Sequence, residues 1–260
     1  MSLTYNRYLK IDELLRLQQP LSDGPEHDEL LFITIHQVYE LWFKQVLHEL
    51  NRLQASFEAN QHPALMETFK RILTILKILV AQVDILETMT PVSFQSFRAR
   101  LDAASGFQSL QFREVEFALG SRRANLLQHY EAGGDDTTRL VDRLASRSVY
   151  DSFLRFLGHR EYAVPAELLE RDVSGPVVED SRVRALLVQI YHHDPMTRDV
   201  CERLVDLDEG LQEWRYRHVK MVERTIGTKS GTGGSAGAEY LKRTLFQPLF
   251  PDLWAIRSDL

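Results

Sequence analysis

Two of the nine histidines in this chain stand apart by the residues around them. His36 lies in LLFITIHQVYELWF, a strongly apolar stretch, with Phe32 one helical turn before it on the same face. His218 lies in EWRYRHVKMV, on a long amphipathic stretch that runs into a glycine-rich segment. A lone histidine on an apolar face is most often a core residue satisfied by a hydrogen bond. Beside large aromatics it also has what a haem iron ligand requires. The other histidines offer less. No histidine has a glutamate three residues before it, so the di-iron bundle pattern is absent, and His48-Glu49 is followed by Leu-Asn-Arg, which is not HExxH. His192 and His193 are adjacent, so on a helix they point about 100° apart. They read as a polar helix end before Pro195. His27, His62, His129 and His159 sit in polar or turn-like contexts and are expected to be solvated.

Two further features carry chemistry. In SFQSFRARLDAASGFQSLQF, helical spacing puts Phe94, Arg98 and Leu101 on one face, so that a guanidinium projects between apolar neighbours. An exposed Arg98–Asp102 ion pair at i, i+4 is one use of that residue. A two-pronged clamp on a carboxylate is the other, which the planar fork of arginine suits better than lysine. The second feature is GTKSGTGGSAG, residues 227 to 237. A phosphate loop needs GxxxxGK[ST] between a strand and a helix, whereas here Lys229 precedes the tight glycines and a long helix leads in. An interdomain linker does not fit either, because the aromatic-rich YLKRTLFQPLFPDLW follows. A loop tied at both ends and able to close over a site remains, beside a plain surface loop.

The elements that must position these residues are helices. Between Pro25 and Gly106 there is no glycine, and Pro63 and Pro91 are the sole prolines. Residues 28 to 60 and 64 to 90 carry apolar stripes at three- and four-residue spacing: Leu31, Ile35, Tyr39, Trp42, Phe43, Val46 and Leu50, then Leu73, Leu76, Leu79, Val80, Val83 and Leu86. Shorter helices are expected after Thr90-Pro91 and after Ser105-Gly106, and over 137–145, 148–157 and 181–192. A long one over 196–226 should end at Gly227. No alternating strand pattern occurs. The fold class is therefore all-α, a helical bundle with short helical elaborations, in one domain spanning residues 1 to 260.

Composition narrows the function. A net charge of −6 argues against a nucleic-acid or anionic-membrane surface. The apolar run from Ile72 is interrupted by Lys77 and Asp84, so no membrane span is expected. The one cysteine, Cys201, excludes an internal disulfide and CxxCH haem attachment, and it argues against a cysteine-rich metal site. With no signal-peptide core at the N-terminus, a cytoplasmic address is expected. Taken alone, these residues indicate a helical protein, leave haem binding and small-anion binding open beside the core-histidine and ion-pair readings, and name no reaction.

In order along the chain, LTYNRYLKIDELL, HDELLFITIHQVYELWFKQ, FRARLDAASGFQSLQFR, WRYRHVKMVERTIG and GTGGSAG resemble the tryptophan 2,3-dioxygenase family from Leu3 to about Arg257. The resemblance implies an all-helical homotetramer, a dimer of dimers, with one non-covalent b-type haem per subunit. Its substrates are L-tryptophan and O2, and its product is N-formyl-L-kynurenine, at the head of the kynurenine pathway. It implies His218 as the iron ligand and His36 as the distal residue that accepts the indole N–H. Arg98 would grip the substrate carboxylate, with Thr232 at its head group and Phe32, Phe94 and Leu101 around it. Ser105 and Gly106 would lie over the haem. Residues 1 to about 20 would cross to a neighbouring subunit, bringing Tyr5, Tyr8 and Leu9 to that subunit's pocket, and 227–237 would be a substrate-ordered lid. Where some members carry a tyrosine whose hydroxyl meets the carboxylate, this chain has Phe94, so the grip rests more heavily on Arg98. A haem sensor or carrier without turnover accounts for the histidines but not for Arg98, Thr232 and the lid together, and a helical interaction module accounts for none of them. Hydrogen exchange across residues 227–237 should slow when L-tryptophan saturates the protein, and unchanged exchange would rule out the lid.

Overall fold

A computed structural model describes residues 2–24, 26–102, 104–232 and 237–260. Helices α1 (Tyr5–Leu9) and α2 (Ile11–Leu14) precede the long α3 (His27–Glu58) and α4 (His62–Leu86). Then come α5 (Pro91–Arg98), α6 (Leu110–Ala118), α7 (Asp135–Ala145), α8 (Val149–His159), α9 (Ala166–Leu169) and α10 (Ser181–His193). Helix α11 (Pro195–Ile226) matches α3 at 32 residues, about 48 Å of helix, and α12 (Ala238–Lys242) and α13 (Pro251–Ala255) close the chain. Short 3-10 turns at Ala99–Leu101, Gly106–Gln108, Ala124–His129 and Ile256–Ser258 link some of them. Among the described residues there is no strand.

The helix ends follow from local chemistry. Thr90 caps α5 by accepting from the Ser93 N–H at 3.1 Å, with Pro91 as first residue. Asp194 does the same for α11, accepting from Thr197 N–H at 3.0 Å ahead of Pro195. Ser148 and Asp151 form a reciprocal box at the start of α8. Helix α11 ends at Gly227, whose φ of 62° an L side chain rarely adopts. His62, expected in solvent, opens α4 instead in the tight turn where Asn60 takes φ 50°, and its Nε2 is buried.

Helix α4 packs between α3 and α11, while α6 and α8 pack on α3 and α10 on α11. The main core joins α3, α4, α8, α10 and α11, and Leu50, Leu65, Ile72, Phe153, Leu187 and Leu204 in it are fully buried. Phe57 sits among Phe69, Phe153 and Phe156 with ring centroids 5.4 to 6.1 Å away. Cys201 is buried too, and burial pushes its thiol pKa up. A second, smaller apolar cluster gathers Ile35, Val83, Leu86, Met89, Phe94, Phe97 and Met221 where α3, α4, α5 and α11 meet. No helix among the described residues is long and apolar enough to cross a membrane. Truncating Phe57 to alanine should cost about 3–5 kcal/mol of stability, because the rings around it cannot collapse into the void. Denaturant unfolding measures it, and a loss below about 1 kcal/mol would show that the aromatic cluster is not a rigid part of the core.

Candidate active site

Val83, Leu86, Met89, Phe94 and Met221 of the smaller cluster line a cavity of about 240 Å³. Nine of the residues singled out in the sequence converge on it: Phe32 and His36 from α3, Phe94 and Arg98 from α5, Leu101, Ser105 and Gly106 from the turns that follow, His218 from α11, and Thr232 beyond it. Tyr5, Tyr8 and Leu9 stand outside, 72%, 71% and 42% exposed. The chain after them is tied down: Gln37 Nε2 donates to the Leu17 carbonyl at 3.0 Å, and Glu29 accepts the Leu21 N–H at 2.7 Å.

The geometry fixes the proton on His36. Its Nδ1 lies 2.7 Å from the Phe32 carbonyl, which can only accept, so Nδ1 carries the hydrogen and Nε2 keeps a free lone pair. Burial lowers its pKa and keeps the ring neutral, against weaker opposing effects of that carbonyl and Glu40. The Phe32 ring packs against it at 4.1 Å between centroids.

His218 faces the same space from the opposite helix. Burial above all, with the positive charge of Arg113 nearby, pushes its pKa down to about 4. Its ring stacks on Trp214, one turn earlier, at 5.2 Å and 4° between planes. Among the described residues it makes no hydrogen bond, so a ring nitrogen remains available to a ligand. Those residues also contain no group of three or more His, Cys, Asp or Glu able to enclose a metal ion. One neutral histidine, stacked on Trp214 in a cavity it shares with Val219 and Met221, is instead the donor set of a haem pocket. Room is present on the facing wall, where a Cβ added at Gly106 would meet nothing within 4 Å. These residues fit a haem.

Arg98 does not pair with Asp102. Helix α5 ends at Arg98, the chain tightens into a 3-10 turn, and Asp102 takes φ 47° out at the surface. Arg98 Nη2 donates instead to the Ser230 carbonyl at 2.6 Å, while its Nε is buried without a hydrogen-bond partner among the described residues. Thr232 Oγ1 donates to the Ala104 carbonyl at 2.5 Å. The glycine-rich segment is thus fastened twice to the rim of the cavity. Its base is pinched: a Cβ at Gly237, where φ is 59°, would lie 2.7 Å from the Lys229 carbonyl. Residues 233–236 of the expected lid lie outside the described residues.

Sequence reasoning missed the charged end of the cavity. Glu116, 1% exposed, meets Arg113, Arg123 (2.6 Å) and Arg215 (2.8 Å), and all four line the space. The nearby arginines hold its carboxyl below the usual range against strong burial. The one trace in the sequence is FREVEF, which places Arg113 and Glu116 at i, i+3 among apolar residues.

A family model described as tryptophan 2,3-dioxygenase matches residues 1–148 and 176–260. The tryptophan 2,3-dioxygenase of Herpetosiphon aurantiacus is 58% identical over 259 residues, covering 100% of this chain and 99% of the relative. That of Anaeromyxobacter sp. strain K is 55% identical, covering 100% and 97%, and that of Bacillus thuringiensis subsp. konkukian 42%, covering 100% and 93%. With this agreement running the length of the molecule, the chain belongs to the tryptophan 2,3-dioxygenase family.

Proposed function

We propose that this cavity is where the chain, acting as a tryptophan 2,3-dioxygenase, adds both atoms of O2 across the C2–C3 bond of L-tryptophan to give N-formyl-L-kynurenine. The observation that carries the reading is the meeting, in one apolar space, of three groups with unused bonding capacity: a ring nitrogen of His218, Nε2 of His36 and Nε of Arg98. His218 would hold the haem, which would supply the iron chemistry that activates O2. The remaining work belongs to the protein. His36 Nε2 accepts the indole N–H and so orients the ring. No proton need be removed from it, since indole N–H is a very weak acid. Phe32, Phe94 and Leu101 enclose the indole, and placing it beside the reacting oxygen gains rate by proximity and orientation.

Arg98 binds the substrate carboxylate through the donors that Ser230 leaves free, and Phe94 offers no hydroxyl to help it. Thr232 would meet the amino-acid head group, Ser105 and Gly106 would lie over the haem, and the 227–237 segment would exclude water from the reaction. The exposed faces of Tyr5, Tyr8 and Leu9 support an N-terminal segment that reaches a neighbouring subunit's pocket in a homotetramer. A haem sensor would need His218 but would have no use for an arginine whose buried Nε has no partner among the described residues at the rim.

Anaerobically reduced, haem-loaded protein should convert L-tryptophan to a product heavier by two oxygen atoms once O2 is admitted. Arg98→Ala should lower kcat/KM by about ten- to a hundredfold with an unchanged haem spectrum. A normal ferrous spectrum without product in the parent protein would make the chain a sensor or carrier. An undiminished Arg98→Ala would remove the carboxylate role.

A further inference from the structure

Three guanidinium groups face one carboxylate at the end of the cavity beside His218. Glu116 Oε1 takes Arg123 Nη2 and Arg215 Nη2, and its Oε2 takes Arg113 Nη1. Two positive charges are left over in a place where Arg113 and Arg215 are 5% and 6% exposed. Asp208, the next carboxylate toward Arg215, turns its Oδ2 to the backbone N–H groups of Leu249 and Phe250 and to Trp254 Nε1, and acts on Arg215 only through its charge, without an ion-pair contact. Arg123 is partly open to solvent and Asp208 offsets part of the charge of Arg215, but a positive excess remains at a mostly buried place, and buried excess charge is costly unless an anion meets it.

The donors are also underused. Each guanidinium offers five N–H groups. Beyond Glu116, Arg113 gives one to the Phe107 carbonyl (3.3 Å), Arg123 one to the Tyr240 hydroxyl (3.1 Å) and Arg215 one to the Thr244 carbonyl (3.3 Å). Arg123 Nε is buried and has no partner among the described residues. The unspent donors belong to residues that line the same cavity as His218, and Arg215 precedes His218 by three residues on the same face of α11.

We infer that Arg113, Arg123 and Arg215, ordered by Glu116, form a cradle for the two carboxylates of the porphyrin, so that the protein recognises haem by its double negative charge as well as by its iron. The inference rests on the haem reading above. Arginine is suited to the task by its planar, permanently charged fork. Glu116 keeps the three side chains from repelling one another apart, without cancelling the charge that attracts the ligand.

Haemin and haemin dimethyl ester share iron and ring and differ in carboxylate charge. Titrating each into the haem-free full-length chain, followed by Soret absorbance, should show haemin binding at least about tenfold more tightly. Arg123→Gln should remove most of that preference by weakening haemin alone, whereas a merely structural role would lower the melting temperature of the haem-free protein and weaken both ligands alike. Equal affinity of the parent protein for the two ligands would overturn the cradle and leave the haem reading standing. Uptake of neither would overturn the haem reading, and the cradle with it. The parent comparison needs no variant, so a folding failure in Arg123→Gln cannot rescue the idea.

Discussion

The site depends on the burial of Glu116. A carboxylate 1% exposed survives in its charged form only among opposite charges and donors, and here those come from three places: α6 itself, the segment after it, and α11. Satisfying it fixes these elements against one another. Since α11 carries Trp214 and His218 as well as Arg215, the same ion pairs set the position of the stacked indole and imidazole. Removing one partner of such a buried pair typically costs about 3–5 kcal/mol, comparable with losing a large core side chain.

The opposite side of the cavity is positioned by apolar packing. Helix α4 packs against both α3 and α11, with its Val83 and Leu86 in the smaller cluster, and His36 and His218 line a common space. Each histidine is kept neutral mainly by burial, and the bond from His36 to the Phe32 carbonyl decides which of its nitrogens is left to accept. Polar capacity is thus spent where it holds the frame and left unspent where a ligand enters. Glu40 illustrates the first case. It accepts from Ser109 Oγ at 2.6 Å and Gln111 Nε2 at 2.8 Å, clamping the start of α6 to α3 beside the Ser105–Gly106 turn.

Local patterns in the sequence carry the helices and most of one cavity wall. The stripes through Ile35, Phe43 and Val46 and through Leu76, Leu79 and Val83 pack in the interior as their spacing requires, and the Thr-Pro and Asp-Pro starts are capped where they stand. Phe94, Arg98 and Leu101 reach one cavity even though the helix ends between the second and the third, because a 3-10 turn carries the chain on. The Glu116 cluster was illegible for a physical reason. Its partners lie 3, 7 and 99 residues away, and nothing local marks Arg123 or Arg215 as buried. The alternative Arg98–Asp102 pair failed on backbone conformation, which i, i+4 spacing assumes rather than establishes. The stacking of Trp214 on His218 needed side-chain rotamers that spacing does not contain.

The placement of sulfur bears on how long such a catalyst lasts. Oxidants attack the thiolate, and the lone thiol of this chain, Cys201, is held protonated inside the main core rather than beside the cavity proposed as the active site. Met89 and Met221 have no such shelter, since both thioether side chains form part of the cavity wall. Conversion of either to a sulfoxide would put a polar group among Val83, Leu86 and Phe94 and loosen the packing of the cavity wall. Wear during turnover should therefore accumulate as methionine oxidation at the pocket and leave the cysteine untouched.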